Sequence, residues 1–331
     1  MQLTQTEQLL LDLIAVPSVS GNEQTIVEKV ASLFSPSFSV ERIQVDETRA
    51  CLLCAIGSPR VLLAAHLDTV PGRVEPRVDE THVYGRGACD NKGAAAAMIV
   101  AALEAAKEGA TDFGLLFTVG EETSFDGALA AKAYLEAHAI APERIVIGEP
   151  TDLKTVTAQR GIYAIKVACD GTAEHSSTNH PDSAIHKLVT LLDAFLKNKF
   201  EETTYHVGLI EGGTADNVVA ARATATLLFR SMNATIAQQV THALVATNVL
   251  HTVEILSDIA PTDHTAPPFE RNEVAYFTEM AFLQNSFVLG PGSIKDAHTD
   301  NERVPRVELN EAVNLYRAFL PNRKEKPGTD V

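Results

Sequence analysis

Val61-Leu-Leu-Ala-Ala-His-Leu-Asp-Thr-Val-Pro-Gly72 decides how the rest of the chain is read. Five apolar residues of strand length run straight into His66 and Asp68, side chains that ligate metals or move protons. The same device recurs three times. Residues 114–119 lead to Gly120, Glu121 and Glu122, and residues 144–147 lead to Gly148 and Glu149. Residues 286–289 lead through Gly-Pro-Gly to Asp296 and His298. Asp90 lies just before an Ala-rich helical stretch that begins near Asn91. In open α/β sheets, ligands bind beyond the carboxyl ends of the strands. Four strands therefore aim imidazoles and carboxylates at one rim.

Working outward, strand-length apolar runs at 50–56, 61–65, 114–119, 144–147 and 286–289 alternate with helical periodicity at 4–15, 22–34, 91–107, 127–138, 271–283 and 308–319. Ser18 and Ser20 stand as candidate caps for the second helix. The alternation predicts an α/β fold, a largely parallel mixed sheet with flanking helices. From about 160 the pattern changes. Half-buried strands at 162–169 and 223–230 and helices at 183–197 and 235–247 predict an inserted α+β domain. Pro261, Pro267 and Pro268 mark the return. The expected division is 1–160 with 267–331 for the metal-binding domain and 161–266 for the insert. The tail, 322–331, is polar and reads as loose.

The chain has 331 residues, 45% of them hydrophobic, enough for two cores. Its formal charge of −16 opposes nucleic acid and anionic membranes as partners. No stretch reaches the length of a membrane helix, and the start, with Glu7 and Asp12, reads as an amphipathic helix rather than a signal peptide. Four cysteines in so long a chain suit the reducing cytoplasm. Cys51 and Cys54 fall inside an apolar run and read as buried strand, and Gly85-Arg-Gly reads as a turn.

Five strand-end groups suit a pair of zinc ions, each with one imidazole and one carboxylate, a further carboxylate bridging them. Imidazole ligands favour zinc over magnesium. Of the adjacent Glu121 and Glu122, one can bind metal while the other stays free as a base. Asp68 is close enough in sequence to orient His66. Histidines standing alone, such as His82, His138, His180 and His264, read as ordinary surface or core residues.

Taken together, His66-Leu-Asp-Thr-Val-Pro-Gly72, Gly85-Arg-Gly-Ala-Cys-Asp-Asn-Lys-Gly93, Glu121-Glu122, Gly148-Glu-Pro-Thr151 and the late His298 make the chain resemble the acetylornithine deacetylase / succinyl-diaminopimelate desuccinylase family of co-catalytic zinc peptidases and deacylases. The resemblance covers nearly the whole chain in order. It implies two Zn2+, with Co2+ or Mn2+ as substitutes. Asp90 would bridge them, His66 and Glu149 completing one ion and Glu122 and His298 the other. It further implies Glu121 as general base and then acid, Asp68 as support for His66, and a cis peptide bond after Asp90. The insert resembles the family's lid, which also mediates homodimerisation. Gly171-Thr-Ala-Glu-His-Ser-Ser177 would supply His175 to the oxyanion of a neighbouring subunit's site. Asn217 and Arg230 would hold a substrate carboxylate, with Gly292 also at the substrate.

Gly148-Glu-Pro-Thr151, Ala158-Gln-Arg-Gly161 and Leu289-Gly-Pro-Gly-Ser-Ile294 lean toward the acetylornithine deacetylase branch, and hence toward a small N-acyl amino acid and arginine biosynthesis. N-acetylcitrulline deacetylase, succinyl-diaminopimelate desuccinylase and dipeptidase or carboxypeptidase are the alternatives. Leu228 and Phe229 before Arg230, the absence of Trp and the short chain depart from the family pattern. A binding protein that kept the fold without the chemistry would lack a ligand, and none is missing.

Overall fold

The structure, a computed structural model, describes residues 2–178 and 181–321; His180 and the tail 322–331, both read in the sequence, lie outside them. The chain forms two compact units. The first comprises residues 2–157, 264–272 and 278–321, and the second 158–263 and 273–277, less the two undescribed positions.

The first unit is built on a six-stranded mixed sheet, as the alternation predicts. Its order is Ser39–Gln44, Ala50–Ile56, Phe113–Thr118, Val61–His66, Arg144–Ile147, Ser286–Val288. The last four run parallel to one another, and Ala50–Ile56 pairs antiparallel with both Ser39–Gln44 and Phe113–Thr118. Every residue of Phe113–Thr118 is buried, as a strand covered on both faces must be. Helix α1 (Gln5–Ile14) begins with a reciprocal cap, in which Thr4 Oγ1 accepts from Glu7 N and Glu7 Oε2 accepts from Thr4 N. Helix α2 (Gln24–Ala31) follows, and then α3 (Lys92–Lys107), whose Ala-rich sequence lets it approach its neighbours closely. Lys92 through Ala102 are all buried, with α1 and a late helix, Arg306–Phe319, packed on α3. Helix α4 (Asp126–Ala137) starts at the end of the loop that carries Glu121 and Glu122.

Two local expectations fail. Residues 271–283 form no α-helix: Glu273–Val274 pairs with Ala158–Gln159, and only Glu279–Ala281 makes a 3-10 turn, opened by Thr278, whose Oγ1 accepts from Met280 N. The segment passes from one unit to the other and back, so long-range pairing overrides its helical spacing. Ser18 and Ser20 do not cap α2, whose N-cap is Glu23 without a side-chain bond. Ser18 Oγ donates to Leu67 O and Ser20 Oγ to Asp68 Oδ2, both on the segment after the central strand. Gly85-Arg-Gly is a turn, and Cys51 and Cys54 are buried in a strand as read.

The second unit holds a four-stranded antiparallel sheet in the order Thr203–Gly212, Arg222–Ser231, Gly161–Asp170, Thr252–Ile259. Two helices, Ala184–Phe195 and Ile236–Val245, cover one face. Alternate residues Tyr163, Ile165, Val167 and Cys169 meet Ala223, Ala225, Leu227 and Phe229 in that unit's core. No helix among the described residues is long and apolar enough to cross a membrane.

Candidate metal centre

Strand register explains why distant residues meet. His66 pairs with Thr118 and Ala64 with both Leu116 and Ile147. The chain ends past these positions therefore emerge side by side, bearing Asp68, Glu121–Glu122 and Glu149. Gly148 N donates to Ala64 O and Leu289 N to Ile147 O, which carries the last strand to the same rim.

There the groups converge. The Asp90 carboxylate stands between two imidazoles: Oδ1 is 2.8 Å from His66 Nε2, and Oδ2 is 3.2 Å from His298 Nε2. Glu149 Oε1 lies 3.6 Å from His66 Nε2, and Glu122 Oε1 lies 2.9 Å from His298 Nε2. Ligand atoms of His66, Asp90 and Glu122 all fall within 4.8 Å of one another. The Asp90–Asn91 peptide bond is cis. Asn91 Nδ2 donates to Glu149 Oε1 at 3.0 Å. His298 has φ 61°, a left-handed conformation rare outside glycine and concentrated at functional sites.

Asp68 supports this arrangement in three ways. Its main-chain oxygen is 3.0 Å from His66 Nδ1 and its Oδ1 is 3.5 Å away, so the Nδ1–H faces an acceptor and Nε2 is left toward Asp90. Its two carboxylate oxygens accept from the amides of Glu121 and Glu122, each at 3.1 Å, and Oδ2 also takes Ser20 Oγ at 2.7 Å.

Electrostatics follow from burial of so many acids. Burial works against the His66 imidazolium, yet Asp68 and Asp90 hold its pKa well above the histidine range. Hydrogen bonds to Asp90 and Glu122 push His298 up to about 10. Burial drives Glu121 and Glu149 well above the ordinary carboxylate range, with Asp90 among the acids that add to it in each case. Asp90 stays below it because His298 and His66 donate to it against burial. Buried like charges of this density call for a cation partner. Two imidazoles with three carboxylates, one of them facing both rings, is a donor set that fits a pair of divalent ions.

The sequence-predicted residues thus divide. His66, Asp68, Asp90, Glu121, Glu122, Glu149 and His298 all belong to this site in the first unit. His175, Asn217 and Arg230 belong to the second. His175 is exposed and bridges Val218, while Ser176 N donates to Asn217 O, so His175 and Asn217 share a loop corner. Arg230 is half-buried and pairs with Thr204 and Ile162. The amide of Gly292 donates to Glu308 Oε2 at 2.8 Å, and a side chain there would meet Cys89 Sγ.

Sequence reasoning missed other participants. The buried Glu302 accepts from the amides of Cys89 and Asp90, each at 3.1 Å, and from Arg86, and so pins the backbone of Asp90. Buried Lys92 donates to Leu13 O and Val16 O, and burial lowers its pKa to about 8. Glu279 is wholly buried beside Thr118, neither carboxyl oxygen makes a well-formed hydrogen bond, and burial raises its pKa to about 7. A lone cation in an otherwise uncharged helix start was a legible hint for Lys92; Glu279 and Glu302 carried no signal.

Residues 62–322 match the peptidase family M20/M25/M40. A probable carboxypeptidase of Emericella nidulans is 30% identical over 377 residues, covering 95% of this chain and 88% of that protein. A tripeptidase of Staphylococcus aureus has the same fold, with a TM-score of 0.80 at 22% identity over 95% of this chain and 96% of the other. So has a dinuclear metal-binding peptidase of Bacillus subtilis, with a TM-score of 0.70 at 13% identity over 94% and 95%. With its strand-end carboxylates and imidazoles gathered at one rim, the chain belongs to peptidase family M20/M25/M40 and is a hydrolase of amide bonds.

Proposed function

We propose that this protein removes the acyl group from a small N-acyl amino acid, with N-acetylornithine as first candidate and arginine biosynthesis as its setting. The observation that carries the reading is the Asp90 carboxylate held between His66 and His298, with Glu121 buried beside it. His66 and Glu149 would hold one zinc ion, Glu122 and His298 the other, and Asp90 both; imidazole donors support zinc. Bound there, the ions would supply Lewis acidity and make a water acidic near neutral pH. Glu121, whose amide is fixed by Asp68, takes the proton of the attacking water and returns it to the leaving nitrogen. Asp68 keeps His66 in one tautomer. A planar guanidinium at Arg230, with Asn217, suits a substrate carboxylate, and His175, reaching a neighbouring subunit's site, suits the developing oxyanion.

The name carried by the Emericella nidulans relative favours a second reading, a carboxypeptidase using the same residues. One panel separates the two: N-acetyl and N-succinyl amino acids against N-blocked dipeptides, with zinc or cobalt, before and after chelation. Turnover of acetylornithine lost to chelator and restored by zinc is expected. Glu121→Gln should retain both metals while kcat drops by about 10²–10⁴. Chelator-insensitive turnover, or an active Glu121→Gln, would end this account.

We also infer a homodimer formed through the second unit. Its edge strand Thr203–Gly212 exposes Leu209 and Ile210, apolar side chains beside unpaired backbone. Four buried cysteines, none in a disulfide, support a reducing compartment such as the cytoplasm. Sedimentation at micromolar concentration tests the dimer; a monomer alone would remove it.

A further inference from the structure

Arg49 precedes the strand Ala50–Ile56, and its side chain is 14% exposed. Nε holds Asp46 at 2.6 Å, Nη1 reaches Asp126 Oδ1 at 3.3 Å, and Nη2 also bonds the Asp126 carboxylate. Nη1 lies 3.7 Å from Glu23 Oε1. Asp126 opens α4 and closes the loop that begins at Gly120. Across that loop, Ser124 N and Phe125 N both donate to Gly120 O, so its two ends are tied together. Gly120 sits on the Arg49–Asp126 pair: with φ 73°, a methyl there would collide with the Asp126 carboxylate and stand 3.0 Å from Arg49 Nη1. Between those ends lie Glu121 and Glu122.

The other contact leads to the same place by a second path. Glu23 Oε1 accepts from Gly21 N, and the neighbouring Ser20 holds Asp68, which in turn accepts from the amides of Glu121 and Glu122. One guanidinium therefore touches the end of the loop bearing both glutamates and, through Glu23, the segment that fixes the carboxylate on which they rest. A planar fork can serve both at once, and an ammonium cannot.

We propose that Arg49 is a positioning residue that sets the aim of Glu121 and Glu122. The inference rests on the reading of those two side chains as base and ligand, but its test does not depend on turnover alone. Three full-length variants are compared with wild type: Arg49→Met, Arg49→Lys and Asp126→Asn. Where wild type hydrolyses an acyl amino acid, Arg49→Met should lower kcat by roughly ten- to a hundredfold, with KM within about threefold. Arg49→Lys should recover part of the loss, since it keeps the charge without the fork. Competition with a chromophoric chelator should show zinc held about tenfold more weakly by Arg49→Met. In the metal-free protein, amides of 119–126 should exchange faster in that variant while those of the central strands do not.

If wild type hydrolyses nothing on the panel, the proposed function fails, and zinc affinity and amide exchange still decide the role of Arg49. If Arg49→Met does not fold, Arg49→Lys and Asp126→Asn carry the same two readouts. Variants that melt earlier, yet bind zinc, turn over and exchange at 119–126 as wild type does at a temperature where all are folded, would reduce Arg49 to a structural ion pair and overturn the proposal.

Discussion

Glu279 shows what a single buried side chain can do in this fold. Its carboxyl is fully covered, and burial, with Asp68 adding to it, favours the protonated form, while the Thr118 side chain and His66 oppose it. An ordinary carboxyl titrates at 4.5, and this one at about 7. Between those values the folded metal-free protein binds more protons than the unfolded chain. Stability from this group is therefore complete below 4.5, falls as pH rises through about 7, and is flat beyond. The shift corresponds to at most about 3 kcal/mol. Urea unfolding of the metal-free protein at pH 5 and pH 8 should show that decline in wild type, shrunken in Glu279→Gln by a comparable amount. Equal declines in the two proteins would mean that Glu279 is not the titrating group.

At the scale of elements, the functional groups sit where regular structure ends. The 120–125 loop is the clearest case, since Gly120 has φ 73° and Phe125 φ 55°, both in the left-handed region. Gly120→Ala combines that conformation with a collision at Asp126. It should cost about 1–3 kcal/mol by equilibrium unfolding. It should also reduce turnover by more than a stability loss of that size explains, because Glu121 and Glu122 move with the loop. A variant as stable as wild type would show that the loop tolerates a side chain. The elements that escaped the sequence have a common cause. Ser39–Gln44, Thr203–Gly212 and Thr252–Ile259 are edge strands with one neighbour each and largely exposed side chains. With so few side chains buried they leave no apolar run to read. The failed helix at 271–283 is the converse case, a helical spacing that pairing with Ala158–Gln159 overrules.

For the whole molecule, all five expected metal ligands lie in the first unit, although they span Val61–His66 to the segment beyond Ser286–Val288. Metal held by these groups would link residues more than two hundred positions apart and stabilise that unit as a whole. Each ion present at about a hundred times its Kd should add about 3 kcal/mol. Calorimetry with zinc and then with chelator checks this. An unfolding temperature indifferent to both would be incompatible with a metal centre built from these groups. The formal charge of −16 points the same way, because several of its carboxylates are gathered at this one rim.

The sequence alone determined which side chains follow the central strands, since local apolar runs mark a strand and the next polar residues must emerge at its end. On that basis His66, Asp68, Glu121, Glu122, Glu149 and His298, with Asp90 before its helix, were nameable before any coordinates. Only the tertiary structure decided that Asp90 faces both imidazoles, that Glu302 grips its backbone, that Glu279 is buried without a well-formed hydrogen bond, and that Ser20 serves Asp68 instead of a helix. Such outcomes depend on which surfaces exclude water and which distant groups come within hydrogen-bond reach. Both are properties of the folded chain and not of any window along it.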